Sequence, residues 1–178
     1  MSLWLIGMMG SGKSAVGRKV AARTSRTFLD TDLIIEANAG RPVAEVFAAE
    51  GETGFRVRES AAIAAAASLA EAIVATGGGS VLLDGNVASM KASGRVVWLQ
   101  ASPATLASRI GDPSSRPLLS SDPANGGGWN GAGVTARLAS ILAVRQGAYE
   151  RAADYTVPTD DASIEEVALL IEEIWNAS

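Results

Sequence analysis

The chain has 178 residues, of which 48% are hydrophobic, and its formal net charge is −4 at pH 7. This length is enough for one domain with its own apolar core, and we expect a single domain over 1–178. The sequence has no cysteine and no histidine, which excludes disulfides, thiolate metal sites and proton transfer by imidazole. A bound metal should therefore be a hard ion held by oxygen, such as Mg²⁺.

Charge and hydropathy also bear on partners and location. The negative net charge, with no basic run carrying interleaved aromatic residues, argues against nucleic-acid binding. The longest apolar stretches are shorter than the ~20 residues of a membrane span, and the chain opens on a strand pattern rather than a signal peptide. We therefore expect a cytoplasmic protein that binds neither nucleic acid nor membrane.

Short apolar runs alternate with helix-patterned segments along the chain. The strand patterns lie at 3–6, 27–29, 73–76, 96–99 and 155–157. The helix patterns lie at 13–23, 32–38, 43–49, 52–69, 86–93, 103–110, 134–152 and 163–175. Strands that alternate with helices predict right-handed βαβ units and parallel pairing. We expect a three-layer α/β/α fold with a central five-stranded parallel sheet.

The first strand pattern leads into residues 7–14, which read GMMGSGKS. This segment fits G-x-x-x-x-G-K-[ST], the phosphate-binding loop (P-loop) of nucleoside triphosphate enzymes. Backbone N–H groups at the start of the following helix, with the helix dipole, can bind phosphate there. Lys13 can reach the β- and γ-phosphates, and the Ser14 hydroxyl can bind Mg²⁺. A plain glycine-rich turn is the alternative, but it explains neither the flanking elements nor the Lys-Ser ending.

The second strand pattern ends at Asp30-Thr31-Asp32. One carboxylate could serve a metal, directly or through water, while the other orients or deprotonates an acceptor hydroxyl. The alternative is that Asp32 caps the next helix, a frequent use of aspartate. The spacing alone does not decide between these interpretations.

Two further segments carry chemistry. Arg56 and Glu59, in the sequence FRVRE at 55–59, share a helix face, whereas Arg58 points elsewhere. Considered alone, this pair is typical of a solvated face.

Three glycines at 77–79 follow a strand pattern. Their backbone N–H groups can form a concave anion-binding site, called a nest, or the segment can let a ligand touch the backbone. A tight turn is the alternative.

Residues 111–133 are rich in glycine and proline and lack any helix or strand period. A loop of this length in a small domain is typical of a lid, and we expect a flexible lid there. Arg116 in this loop could neutralise charge on a transferring phosphoryl group.

Arg145 precedes Tyr149 by four residues in the next helix pattern. Either arginine, considered alone, is typical of an ordinary surface residue.

Together these motifs resemble the shikimate kinase family. The ordered set is GMMGSGKS at 7–14, DTD at 30–32, FRVRE at 55–59, ATGGGSV at 75–81, RPLL at 116–119 and R-x-x-x-Y at 145–149. The loop at 7–14 occurs in many nucleotide enzymes, whereas the combination in this order is specific. The resemblance implies ATP-dependent phosphorylation of the 3-hydroxyl of shikimate, in the pathway to chorismate and the aromatic amino acids.

The resemblance also implies a role for each matching position. Those that would bind ATP are Gly10, Ser11, Gly12, Lys13, Ser14, Ala15 and Arg116. Those that would bind shikimate are Asp32, Arg56, Gly78, Gly79 and Arg145, with 32–60 as the substrate-binding helical region. The ones that would act in catalysis are Lys13, Asp32 and Arg116. One Mg²⁺ would be bound directly by Ser14 and through water by Asp30.

The chain departs from the family pattern at three places. Ala15 stands where the family usually has threonine, so one hydroxyl to the α-phosphate is lost and weaker nucleotide binding is expected. The lid is longer and richer in glycine than usual, which raises the entropy cost of closure. The loop at 159–162 lacks the arginine that some members place near adenine, and Arg109 is a candidate platform instead.

Two other classes of function remain open. One is another small-molecule kinase with the same loop, acting on gluconate or a nucleoside monophosphate; the triple glycine and FRVRE argue against it. The other is a nucleotide-binding regulatory module without transfer activity, which would be expected to lack Lys13, Asp32 or Arg116. We expect ATP and shikimate as the partners, and a monomer.

Overall fold

A five-stranded sheet organises the part of the chain that the computed structural model describes, residues 1–110 and 131–176. Its strands are β1 (Ser2–Ile6), β2 (Thr27–Asp30), β3 (Ala72–Ala75), β4 (Gly94–Gln100) and β5 (Tyr155–Pro158). They lie in the order β2-β3-β1-β4-β5, and each neighbouring pair is parallel. The predicted five-stranded parallel sheet is therefore confirmed.

Helices connect these strands. In the described residues they are α1 (Lys13–Thr24), α2 (Thr31–Ala39), α3 (Val43–Ala67), α4 (Asp84–Ser93), α5 (Pro103–Arg109), α6 (Gly131–Ala152) and α7 (Ile164–Asn176). A short 3-10 turn, Ser80–Leu82, precedes α4. Within the described ranges, no helix is both long enough and apolar enough to cross a membrane.

The side chains of β1 show why helices cover both faces of the sheet. Leu3 and Leu5 point into a core with α1 and α7, whereas Trp4 and Ile6 point into a second core with α3, α4, α5 and α6. Side chains alternate along a strand, so a strand that is apolar at every position must be buried on both sides. This arrangement confirms the three-layer α/β/α prediction.

The region between β2 and β3 forms a small core of its own. Ile35 of α2 packs with Val46, Phe55 and Ala62 of α3. The sequence predicts two helices here, at 43–49 and 52–69. The structure has one span that is interrupted at Gly51, where φ is 68° and ψ is −175°. Glycine tolerates this backbone conformation, so the predicted break lies where the sequence places it.

The predicted lid is described only at its end. Residues 111–130 lie outside the described part of the chain, and residues 131–133 form the first turn of α6. The helix predicted at 134–152 therefore begins three residues earlier in the structure, and the approximate bounds of the lid stay a prediction. Glycine weakens a helix without forbidding it, and burial of Val134 and Leu138 stabilises the first turns of α6.

Candidate active site

The loop between β1 and α1 has a backbone that only glycine adopts easily. Gly7, Gly10 and Gly12 have φ values of 142°, 80° and 91°. A Cβ at Gly7 would lie 2.6 Å from the carbonyl oxygen of Leu99, and one at Gly10 would lie 2.8 Å from a carbonyl of α5. The loop thus curls tightly against β4 and α5 and leads directly into α1. Its helix N-terminus suits an anionic phosphate.

Lys13 holds the inner side of this loop. Its side chain is buried, and Nζ donates to the carbonyl oxygens of Gly7, at 2.9 Å, and Met8, at 2.8 Å. The loop is therefore wrapped around an ammonium group. This geometry places a positive charge where the sequence predicts phosphate.

The two predicted magnesium residues are in direct contact. The Ser14 hydroxyl donates to Asp30 Oδ2 at 2.6 Å, and Asp30 Oδ1 accepts the backbone N–H of Asp32 at 3.1 Å. Asp30 is therefore the N-cap of α2, and the alternative of Asp32 as that cap is wrong. Asp32 lies in the first turn of α2 instead, where its side chain lines the cleft described below.

Arg56 is held by two carboxylates of its own helix. Its guanidinium donates to Glu59 Oε2 at 2.7 Å and to Glu52 Oε1 at 3.0 Å. Glu59 is completely buried and also accepts the Ser80 hydroxyl at 2.8 Å. Burial alone would lower the pKa of Arg56, but the two carboxylates, chiefly Glu59, outweigh it and raise that pKa. The solvated-face alternative for Arg56 and Glu59 is therefore wrong.

Arg145 is also buried, so its interpretation as a surface arginine is wrong. It is 6% exposed, and Nη1 donates to the carbonyl oxygen of Gly78 at 3.3 Å. The Tyr149 hydroxyl donates to the same oxygen. Burial raises the pKa of Tyr149 to about 12, against the opposing effect of Arg145. The R-x-x-x-Y motif thus directs two donors from α6 to the triple glycine.

The three glycines provide room rather than unusual backbone angles. A Cβ at Gly77 would lie 2.5 Å from Glu59 Oε1, and one at Gly79 would overlap the Arg56 guanidinium. At Gly78 a Cβ would meet the phosphate-binding loop only at ordinary contact distance, 3.5 Å from the carbonyl oxygen of Gly7. The segment is therefore packed tightly on the buried ion pair and lies beside the phosphate loop.

These groups line one cleft of about 650 Å³. The predicted site residues on its wall are Gly10, Ser11, Gly12, Lys13, Ser14, Ala15, Asp30, Asp32, Arg56, Gly78, Gly79 and Arg145. Val43, Phe47 and Phe55 add an apolar surface beside the arginines. The remaining predicted residue, Arg116, lies outside the described residues.

The candidate adenine platform also belongs to the cleft wall. Arg109 is among the lining residues, together with Ile164 and Val167. Its guanidinium donates to the hydroxyl of Thr159, at 3.0 Å, and to the carbonyl of the same residue. Arg109 is thus tied to the loop at 159–162, where the sequence lacks an arginine of its own.

Sequence reasoning gave no role to four groups around the site. Glu59, Ser80 and Tyr149 stand inside the family motifs, so the motifs themselves were the available signal. Ser80 donates to Glu59, and Asn86 donates to the carbonyl of Ser80 at 3.1 Å. For Asn86 the sequence carries no signal, because its contact depends on how α4 packs against the 3-10 turn.

Comparison with known proteins agrees with this geometry. The family model for shikimate kinase matches residues 9–175. The shikimate kinase of Symbiobacterium thermophilum is 43% identical over 97% of this chain and 95% of that protein, and that of Moorella thermoacetica is 41% identical over 97% and 93%.

Solved structures give the same result. The shikimate kinase from Acinetobacter baumannii in complex with shikimate superposes with a TM-score of 0.89 and 31% identity, covering 99% of this chain and 93% of that one. A gluconokinase from Sinorhizobium meliloti has a TM-score of 0.53 at 21% identity, covering 99% and 97%, which shows a shared fold alone. The chain belongs to the shikimate kinase family.

Proposed function

We propose that this protein transfers the γ-phosphoryl group of ATP to the 3-hydroxyl of shikimate, giving shikimate 3-phosphate and ADP on the route to chorismate and the aromatic amino acids. The observation that carries the proposal is the meeting of Asp32, Arg56 and Arg145 in one cleft with the phosphate-binding loop. One buried and one partly buried arginine beside a carboxylate suit a small acid that also bears hydroxyls.

The donor half of the site would bind the triphosphate. Backbone N–H groups from Gly10 to Ala15 would surround the phosphates at the N-terminus of α1. Lys13, held at the loop by two carbonyls, would stabilise charge that develops on the transferring group. Ala15 offers no hydroxyl, so the α-phosphate would rely on backbone donors alone. Arg116 in the predicted lid would close over the phosphates.

The acceptor half would hold shikimate by its carboxylate and its hydroxyls. Arg56 and Arg145 would form forked hydrogen bonds to the carboxylate. Asp32 would accept from the ring hydroxyls, and Gly78 and Gly79 would contact the substrate through the backbone. Because α2 begins at a capped turn beside Ser14, Asp32 would hold the 3-hydroxyl near the phosphate end of the cleft and orient or deprotonate it.

The residues present fit a magnesium ion. Kinases hold Mg²⁺ with one or two protein oxygens, phosphate oxygens and water. The Ser14 hydroxyl and the Asp30 carboxylate, in contact at 2.6 Å, supply such oxygens at the phosphate loop. Ser14 would bind the ion directly and Asp30 through water. When bound, the ion supplies charge neutralisation at the β- and γ-phosphates.

An ADP-release assay with different acceptors tests the proposal. We expect turnover with shikimate, and only when ATP and Mg²⁺ are both present, because Arg56 and Arg145 would hold its ring carboxylate while Asp32 holds its 3-hydroxyl. Gluconate and nucleoside monophosphates serve as matched acceptors at equal concentration. Equal turnover with either of them would contradict the assignment.

The cytoplasmic location and the monomeric state stay predictions, which cell fractionation and gel filtration can test.

A further inference from the structure

The carbonyl oxygen of Gly78 receives two donors from one face of α6. Arg145 and Tyr149 are four residues apart, so their side chains lie one above the other on that face. Arg145 Nη1 donates at 3.3 Å, and the Tyr149 hydroxyl donates to the same oxygen at closer range. A carbonyl oxygen has two lone pairs and can accept both. Both donors attach α6 to the triple glycine, and the tyrosine is the closer of the two.

We propose that Tyr149 is a positioning residue for the acceptor: its hydroxyl holds the peptide unit between Gly78 and Gly79, and Arg145 beside it, in the geometry that receives shikimate. This inference rests on the function proposed above. It adds to the acceptor site a residue that acts on shikimate binding through Gly78, Gly79 and Arg145. Tyr149 itself would not touch the substrate.

The surroundings of Tyr149 fix the position of its hydroxyl. The residue is fully buried, and its ring stacks on Trp98 of β4, with centroids 5.4 Å apart and planes 12° from parallel. Trp98 stands opposite Thr156 of β5 and is part of the central sheet. The ring therefore connects the hydroxyl to a rigid element, which is how a second layer of residues holds a site in place.

The protonation state of Tyr149 suits a permanent donor. Burial raises the pKa of its hydroxyl to about 12, so the group keeps its proton across the neutral range. The deprotonated form would place negative charge against the Gly78 carbonyl and could not donate to it. The attachment is therefore constant under physiological conditions and does not act as a switch.

The backbone of the triple glycine needs such an attachment to stay in one conformation. Three consecutive glycines have a wide choice of backbone angles, which costs entropy when one conformation is selected. The Thr31 hydroxyl accepts the N–H of Gly77 at 3.0 Å, on the β2 side, and Tyr149 fixes the Gly78 carbonyl on the α6 side. Because a peptide unit is planar, fixing that carbonyl also fixes the N–H of Gly79.

Loss of the hydroxyl would change both neighbours. The Gly78 carbonyl would keep Arg145 as its donor from α6, at a distance that now indicates a weak bond. Either the arginine would move toward the carbonyl and away from the substrate carboxylate, or the peptide unit would rotate. Both changes act first on the groups that receive the acceptor, so they should weaken binding of the acceptor more than binding of the nucleotide.

Steady-state kinetics of Tyr149→Phe test the inference, with Tyr155→Phe as the matched control. Tyr155 on β5 also has its hydroxyl in contact with an arginine, Arg95, but it is not part of the cleft lining. For Tyr149→Phe we expect KM for shikimate to rise about three- to tenfold, with KM for ATP within about twofold of the wild-type value. Tyr155→Phe should leave both constants unchanged.

Fluorine NMR gives a readout that leaves Tyr149 in place. The sequence has two tyrosines, so 3-fluorotyrosine in the Tyr155→Phe background labels Tyr149 alone. Its resonance should shift on addition of shikimate, and less on addition of an ATP analogue.

Unchanged KM for shikimate in Tyr149→Phe would overturn the inference, as would equal rises in both KM values. If Tyr149→Phe does not fold, a resonance unmoved by saturating shikimate overturns it instead. A wild-type enzyme inactive on shikimate would refute the proposed function itself.

Discussion

The Ser14 hydroxyl donates a 2.6 Å hydrogen bond to Asp30, which joins the first turn of α1 to the end of β2. The other oxygen of the same carboxylate caps α2 by accepting the N–H of Asp32 at 3.1 Å. A bond this short between a hydroxyl and a carboxylate is of the strong, charge-assisted kind. The Asp30 carboxylate therefore positions both Ser14, whose hydroxyl is the predicted Mg²⁺ ligand, and Asp32, the predicted base.

Replacement of Asp30 by asparagine should separate these two tasks. Asparagine caps helices as well as aspartate does, so the start of α2 should be retained. Its one amide oxygen cannot accept both the Asp32 N–H and the Ser14 hydroxyl, so we expect the free energy of unfolding to fall by about 1–3 kcal/mol. It lacks the negative charge, so the Mg²⁺ concentration for half-maximal rate should rise about tenfold or more. A magnesium titration of the rate at fixed ATP measures this shift.

Asp154→Asn is the matched control for that variant. Asp154 also accepts a backbone N–H, from Val96 at 2.8 Å, but it is not part of the cleft lining. Its magnesium dependence should equal that of the wild type. The same dependence in Asp30→Asn would remove Asp30 from the metal site.

Glu59 should matter to stability as well as to substrate binding. Glu59→Gln keeps the shape of the side chain but removes the charge that faces Arg56 and accepts the Ser80 hydroxyl. Breaking a buried charged pair leaves the other charge uncompensated, so we expect unfolding to become easier by about 2 kcal/mol. KM for shikimate should rise too, because Arg56 loses its anchor. Urea unfolding and steady-state kinetics measure the two effects.

Glu52 provides a control on the same arginine. It contacts Arg56 at 3.0 Å, yet its side chain is 59% exposed. Exposed ion pairs contribute little, so Glu52→Gln should change the free energy of unfolding by less than about 0.5 kcal/mol. Equal destabilisation by both variants would mean that burial of Glu59 is not what makes the pair strong.

The fold was predictable because its signals are local and repeated. The β1 sequence is apolar at every position, and this is sufficient to place it inside a doubly covered sheet. The glycine loop and its Lys-Ser ending identify the phosphate end of the cleft without any tertiary information. The boundary at 131–133 was missed, because burial of Val134 and Leu138 extends α6 into residues that look like loop.

The acceptor end needed the structure for a different reason. Nothing in the sequence separates Arg145, which is buried, or Arg56, which is partly buried, from an exposed arginine. Their burial results from contacts between distant segments, such as Ser80 with Glu59 and α6 with Gly78. The motif resemblance named both arginines, but it did not reveal what holds them. The same holds for Asp32, whose alternative as a cap was settled by where Asp30 points.

Gly79→Ala should damage acceptor binding by a steric route. The backbone of Gly79, with φ −103° and ψ −2°, is one that alanine can adopt, but the new methyl would overlap the Arg56 guanidinium. We expect KM for shikimate to rise about tenfold, equivalent to about 1.4 kcal/mol, and KM for ATP to stay constant. Gly85→Ala is the control, since a Cβ there meets open space. A wild-type KM in Gly79→Ala would mean that Arg56 can move without cost.

Asp32→Asn should slow phosphoryl transfer without weakening the binding of ATP. Because Asp30, not Asp32, caps α2, this variant should keep the cap and still fold. If Asp32 takes the proton of the acceptor hydroxyl, kcat should fall about 10²- to 10⁴-fold while the dissociation constant of ATP is retained. Single-turnover kinetics and ATP titration measure these quantities. A fall in kcat below tenfold would limit Asp32 to orienting the hydroxyl.

The buried Tyr149 should make the protein less stable at high pH, in a defined range. Its hydroxyl has a pKa of about 12 when folded, against 10.0 for an exposed tyrosine, so folding favours the protonated form. This contribution is complete below pH 10 and is lost as the pH rises toward 12. At pH 11 the wild type should have lost on the order of 1 kcal/mol relative to Tyr149→Phe. Urea unfolding of both proteins at pH 8 and pH 11 measures the difference, and other groups cancel in the comparison. A constant difference between the two pH values would show that the hydroxyl titrates near 10 even when the protein is folded.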